Sequence, residues 1–218
     1  MREIYFGKQR FLGRPDRTLF HPSSGTLFLS DLHLGKGHLF RCEGIPIPKE
    51  LEAQDLNRLI LALQATKAKS FWVLGDLFHH PGSITSKLMS KWHHAFEKID
   101  VQRSVILGNH DRSAQQFASN LGFSIQPEPS LWYGIELAHH PDRSGELPRI
   151  AGHVHPQVEF RNATDHLVCP CFAIPNERCL LLPAFTEFSG GPRFSAKTAQ
   201  LFPIIDKDVL DSRQMTIK

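Results

Sequence analysis

Five apolar runs in this 218-residue chain each close on side chains able to hold a metal ion or move a proton: Asp31-x-His33, Gly75-Asp76, Gly108-Asn109-His110-Asp111, His139, and Gly152-His153-x-His155. Any one of these is commonplace, since Gly-Asp is a frequent turn and a histidine pair is usually only exposed. Five in order, each ending an apolar run, are not. The donors are the carboxylates of Asp31 and Asp76, the amide oxygen of Asn109 and the imidazoles of His33, His139, His153 and His155, with no thiolate. That set exceeds what one divalent ion needs and suits two, and its nitrogen and oxygen mixture suits manganese first, with iron or zinc as alternatives, rather than calcium or magnesium. We therefore expect a dinuclear centre. Asp76 sits midway along the set, and a carboxylate between two cations is the natural bridge.

Such a site needs elements that bring distant residues together. Leu27 to His33 reads as a buried strand whose end delivers Asp31 and His33 on one face, because residues i and i+2 of a strand point the same way. From Lys49 to Lys69, Leu51, Leu56, Leu59, Ile60 and Leu63 recur at helical spacing, with Glu50 and Glu52 early and Lys67 and Lys69 late, as the helix dipole prefers. Phe71–Leu74 and Val105–Leu107 read as strands, Ser83 to Ile99 as a helix carrying Ile84, Leu88, Trp92 and Phe96, and Ser113 to Leu121 as a helix stopped by Gly122. This is βα alternation, which gathers ligands at the carboxyl ends of the strands. The stretch from Gly35 to Pro48 reads as a loop, in which Pro46 and Pro48 forbid a helix. Strand-like pieces follow at 123–125, 131–133, 135–138, 149–151, 158–161, 166–172, 179–185 and 198–205, and the tail beyond Asp206 reads as peripheral.

With 41% hydrophobic and 22% charged residues the chain reads as one globular domain spanning 1–218. A net charge of +3 allows a phosphate-bearing partner without arguing for one. The cysteines at 42, 169, 171 and 179 lack the two-residue gap of a zinc half-site and read as reduced. The first residues have no apolar signal core and no run approaches a membrane span, so the cytoplasm is the expected location.

Together, Asp-x-His, Gly-Asp, Gly-Asn-His-Asp, a late His and Gly-His-x-His over about residues 26 to 156 resemble the calcineurin-like metallophosphoesterase superfamily. The resemblance implies an α/β fold, a four-layer α/β/β/α sandwich of two mixed sheets with helices outside, and a two-metal site at one end. Carried over by position, Asp31, His33, Asp76 and His155 would hold one ion, and Asp76, Asn109, His139 and His153 the other. His110, paired with Asp111, would face the substrate as a phosphate ligand or general acid. Two ions would hold a bridging hydroxide that attacks phosphorus in line with the departing alkoxide.

Further stretches are similar to a narrower branch, the ligase-associated DNA-damage-response endonucleases: the run from Asp31 to Lys36, Phe40-Arg41 with 44–48, Pro170–Phe172, 182–185 and 188–191. This implies a phosphodiesterase or endonuclease acting on nucleic acid, single-stranded DNA first, in DNA repair, with a functional link to a DNA ligase and a helicase. Cys42 stands where that branch leads us to expect a basic or polar residue, and His140 where an acid is expected; His139 is taken as the ligand. Lys36, Arg41 and Arg112 follow the ligands closely enough to hold substrate phosphates. Phe188 could stack a base, whereas Phe185 reads as core. His79 and His80 read as exposed loop residues near the site, and His93 and His94 as helix surface. Relatives in the superfamily also hydrolyse cyclic nucleotides, dinucleoside polyphosphates or a UDP-sugar lipid pyrophosphate, and a scaffold of the same fold with a degraded site is the alternative of another class.

Overall fold

The computed structural model describes residues 1–48, 50–141, 145–161, 164 and 166–214, with backbone alone for 50–52. The chain opens with an antiparallel meander, β1 (Arg2–Phe6), β2 (Gln9–Gly13), β3 (Leu19–His21) and β4 (Thr26–Leu29). It continues through helices α1 (Lys36–Cys42) and α2 (Glu50–Thr66) to β5 (Ser70–Leu74), then α3 (Ser86–Glu97), β6 (Gln102–Ile106), α4 (Gln115–Asn120) and β7 (Ser124–Gln126). Strands β4 to β7 pair in parallel, so the first sheet is seven-stranded and runs β1 to β7 in chain order.

The βα alternation expected from the sequence is therefore present. Leu56, Leu59 and Leu63 of α2 and Leu88, Trp92 and Phe96 of α3 bury one face of the sheet, on Leu27, Leu29, Phe71, Val73 and Val105. Thr85 caps α3 by accepting the Leu88 N–H at 3.1 Å. The expected contributions of Lys49, Glu50, Leu51 and Glu52 to the second helix lie outside the described residues and side chains.

A second, nine-stranded sheet is built from β8 (Ser130–Trp132), β9 (Ile135–Ala138), β10 (Arg149–Ala151), β11 (Gln157–Arg161), β12 (His166–Asn176), β13 (Cys179–Leu181), β14 (Arg193–Phe194), β15 (Gln200–Ile205) and β16 (Asp208–Val209). The two sheets share a core in which Phe28, Leu74 and Ile106 meet Leu137, Ile150, Phe172, Leu180 and Phe202. Because successive strand side chains alternate in direction, Phe28 points between the sheets while Leu27 and Leu29 point at the helices. Both faces of β4 are thereby apolar. The result is a mixed α/β sandwich with helices over the first sheet. Among the described residues the outer face of the second sheet carries no α-helix; its apolar residues, including Val158, Cys171, Leu181 and Leu201, are packed by Phe160, Phe194 and Ile205.

Three local expectations need correction. Lys36 to Cys42 is a helix, started by Gly35 at φ 85°, and the proline loop begins only after it. The tail is not peripheral as far as Gln214: β16 pairs with β15, and Val209 is fully buried in the core between the sheets. Finally, β4 ends at Leu29, so Asp31 and His33 lie beyond the strand, where their shared direction has another cause.

Candidate metal centre

That cause is backbone geometry. Asp31, His33, Asp76, His153 and His155 all adopt left-handed φ values, of 53°, 48°, 50°, 67° and 52°. Non-glycine residues avoid this region, and clusters of them occur where a site stores strain. Hydrogen bonds from the Asp31, His33 and Leu34 N–H groups to Gly75, Asp76 and Leu77 carbonyls lock the first two ligand loops side by side. Gly75 and Gly108 are required by proximity: a Cβ would stand 2.0 Å from His139 Nδ1 at the first and 2.1 Å from Asp76 Oδ1 at the second.

Each carboxylate is aimed by one backbone donor. Asp31 Oδ2 accepts the His153 N–H at 3.0 Å and Asp76 Oδ1 accepts the His110 N–H at 3.1 Å, which leaves the other oxygen of each facing inward. Asp31 Oδ1 and His155 Nε2 then lie 3.1 Å apart, both buried and without the geometry of a hydrogen bond. His33 Nε2 is 4.0 Å and His139 Nε2 3.6 Å from the same atom, Asp76 Oδ2. On the other side Asn109 Oδ1 and His153 Nδ1 lie 3.1 Å and 3.0 Å from His139 Nε2. Since His139 donates its Nδ1–H to the Leu74 carbonyl at 3.1 Å, its Nε2 carries a lone pair. Acceptors converge there on acceptors, an arrangement a cation relieves.

The electrostatics agree. Burial pushes the His33 imidazole down to about 2, and burial likewise lowers His139 and His153, so all three are neutral donors. Asp76 is raised by burial and by the neighbouring Asp31 charge. Burial alone would lower His155, but the Asp31 carboxylate outweighs it and holds the imidazole above its ordinary value.

The structure brings Asp31, His33 and His155, and Asp31, Asp76 and His139, within metal-ligand reach of one another, and also His139, His140 and His153. His140 differs from His139 in being half-buried with Nδ1 at 3.1 Å from Glu128 Oε1, which also accepts the N–H groups of both histidines. Glu128, from the Pro-Glu-Pro loop, thus anchors the ligand segment, a role that a single acid in a loop did not signal in the sequence.

His110 stands at the open side, with Nε2 3.9 Å from Asp76 Oδ2. Its expected pairing with Asp111 is not found. His110 donates Nδ1–H to the His79 carbonyl at 2.7 Å, whereas the buried Asp111 carboxylate accepts the N–H groups of Leu77, Phe78 and Gly108 at 3.1, 2.8 and 3.0 Å. Three backbone donors already occupy that carboxylate. His79 is also more than an exposed loop residue: it is half-buried, and its ring stacks on His110 at 5.1 Å. Its place directly after the Gly75–Phe78 turn was the available signal.

Of the three basic residues, Lys36 feels the charges of the Asp31 and Asp76 carboxylates. Burial lowers its ammonium and the Asp31 and Asp76 charges pull it back up, while Nζ reaches Ser189 Oγ at 3.4 Å. Arg41 turns toward the Ile47 carbonyl at 3.5 Å, and Arg112 is exposed beside Asp111. Phe185 is fully buried under the Arg58 guanidinium, 4.4 Å from its ring centre, and Phe188 is half-buried. His93 and His94 lie on the exposed surface of α3 beside Glu97; Cys42 is exposed, and Cys169, Cys171 and Cys179 are buried.

A family model described as calcineurin-like phosphoesterase matches residues 26–168, the stretch from β4 into β12 that carries every one of these donors. The chain belongs to the calcineurin-like phosphoesterase family. It is a metal-dependent phosphoesterase, and its histidine and aspartate clusters could hold the divalent ions. Among solved structures the chain is similar to the Pseudomonas putida nuclease MPE, with 28% identity, a TM-score of 0.82, and coverage of 93% of this chain and 96% of that one. No curated protein matches its sequence. Among the described residues no helix is long and apolar enough to cross a membrane.

Proposed function

We propose that the protein is a two-metal phosphodiesterase that cleaves nucleic acid, single-stranded DNA first among its substrates. The observation that carries this reading is the pair of donor sets meeting at Asp76 Oδ2, with His110 Nε2 3.9 Å from the same atom. Asp31, His33, Asp76 and His155 form one set and Asp76, Asn109, His139 and His153 the other. Divalent ions held there, manganese before iron or zinc, would neutralise phosphoryl charge and lower the pKa of water enough to supply a nucleophile at neutral pH.

The chain's own residues do the rest. The N–H groups of His153 and His110 hold the two carboxylates in their orientations, and the Leu74 and Gly190 carbonyls fix His139 and His155 with Nε2 inward. The His79 carbonyl holds the Nδ1–H of His110, so a proton carried on His110 Nε2 points toward bound phosphate and can pass to a departing alkoxide. Lys36, partly buried near both carboxylates, would bind a non-bridging oxygen or an adjacent phosphate, with Arg41 and Arg112 as outer contacts. The likeness to a solved nuclease over nearly the whole of both chains supports a nucleic acid substrate, and the complete donor set argues against a scaffold with a degraded site.

The test is to incubate manganese-loaded protein with circular single-stranded DNA, linear single strands, duplex and a cyclic nucleotide. The reading expects the circular single strand to be opened, faster than duplex. Cleavage confined to the cyclic nucleotide would contradict it.

A further inference from the structure

Three histidines of the centre have their second ring nitrogen placed on a backbone carbonyl: His139 on Leu74, His155 on Gly190 and His110 on His79. His33 does not. Its side chain is almost wholly buried, yet its Nδ1 has no hydrogen-bond partner among the described residues. Metal-binding histidines almost always donate that second N–H to a carboxylate, a carbonyl or a water, since the bond selects the tautomer and raises the basicity of the ligating nitrogen.

Beside His33 lies a small, partly open void of about 10 Å³, lined among others by His33, Asp55 and Thr186. Such a volume is about one water, and a buried water needs two to four polar partners. The wall supplies them. Asp55, on α2, is 5% exposed and Thr186 1%. One Asp55 oxygen, Oδ1, accepts from Arg58 Nη2 at 2.7 Å, and Thr186 lines the same void. A carboxylate has room for about four donors, so the Arg58 bond leaves it acceptor capacity for a water.

We propose that Asp55 is a positioning residue for the metal ligand His33, acting through one ordered water that accepts the His33 Nδ1–H and donates to the Asp55 carboxylate. This rests on the reading of His33 as a ligand. The link would run from the metal centre into α2 and, through Arg58, to the Phe185 carbonyl and Glu187, which Arg58 also contacts. It gives a buried acid that the phosphoester chemistry does not touch a task in it.

The test compares manganese binding by wild type, Asp55→Leu, Asp55→Asn and Arg58→Gln, with melting of each in chelator as the folding control. Wild type should bind two ions. Asp55→Leu should weaken one site about 10- to 100-fold and leave the other within about threefold, the range seen when an outer-shell partner is removed. Asp55→Asn keeps an acceptor oxygen and should fall between. Arg58→Gln breaks the ion pair but keeps Asp55, and both affinities should stay within about threefold of wild type, well short of that range. Two ions bound by Asp55→Leu as tightly as by wild type would overturn the proposal, as would an Arg58→Gln loss equal to that of Asp55→Leu. If the wild type bound no ion, the reading of His33 would fail with it. Should Asp55→Leu not fold, a high-resolution crystal structure of the wild type decides: a water between His33 Nδ1 and Asp55 supports the proposal, and its absence there overturns it.

Discussion

At the scale of single residues, the chemistry turns on where protons sit. His110 gives its Nδ1–H to the His79 carbonyl and offers Nε2 to the site, so its value is to a leaving group that cannot depart as an anion. A DNA alkoxide is such a group, whereas p-nitrophenolate leaves without a proton. His110→Ala should therefore slow DNA cleavage by about 10²- to 10⁴-fold, the usual worth of a general acid, and slow bis(p-nitrophenyl) phosphate hydrolysis far less, with metal content unchanged. Equal loss on both substrates would contradict the role. His155 makes a second prediction. The metal-free imidazole is held above its ordinary value by Asp31, and a metal ion needs it neutral, so loading must release its proton. Affinity at one site should rise with pH up to the raised pKa and level off above it, falling about tenfold per unit below it. Isothermal titration in buffers of different ionisation enthalpy reads the released proton directly. The other site has no such term, because burial already keeps His139 and His153 neutral.

At the scale of elements, Asp111 is a staple rather than a proton carrier. From the loop after β6 it accepts three N–H groups, two of them from the loop after β5, and so sets the distance between Asp76 and Asn109. Asp111→Ala would strand three buried donors, each costing about 1–3 kcal/mol, and should lower unfolding stability in chelator by at least about 3 kcal/mol. An unfolding midpoint equal to wild type would remove that role. The sequence showed this pair of loops as motifs but not their linkage, because Gly-Asn-His-Asp reads the same whether the last acid meets the histidine or the backbone. Helix α3 was legible for the converse reason, since burial of one face is written directly in residue spacing, and β5 because it is an unbroken apolar run packed on both faces. Helix α1 was not, since seven residues behind a left-handed Gly35 hold too few turns to show a face. Asp31 and His33 were recognised from their types, while the left-handed φ values that aim them leave no mark on residue order.

At the scale of the whole molecule, the centre straddles the seam of the sandwich. Asp31, His33, Asp76 and Asn109 follow strands of the first sheet, and His139, His153 and His155 follow strands of the second. Ions bound there would join the two sheets as the apolar core joining Phe28 and Ile106 to Phe172 and Phe202 does. Metal should accordingly stabilise the fold: at a hundred times its dissociation constant, one ion contributes about 2.7 kcal/mol. For a chain of this size that raises the melting temperature by roughly 5–11 °C over protein in chelator, at about 2–4 °C per kcal/mol. A melting temperature indifferent to chelator would show that the donors do not act together. The second sheet was the least legible feature, because its short strands carry little pattern and some find their partners across long stretches of chain, as β10 does with β13 and β12 with β15; β16, with its buried Val209, is only two residues long.

The most direct measurement is a crystal structure of manganese-soaked protein with anomalous scattering recorded at the metal edge. Two peaks about 3.5–4 Å apart are expected, as in two-metal sites generally. Asp76 should touch both, with Asp31, His33 and His155 on one ion and Asn109, His139 and His153 on the other. A single peak, or two that do not share Asp76, would contradict this expectation.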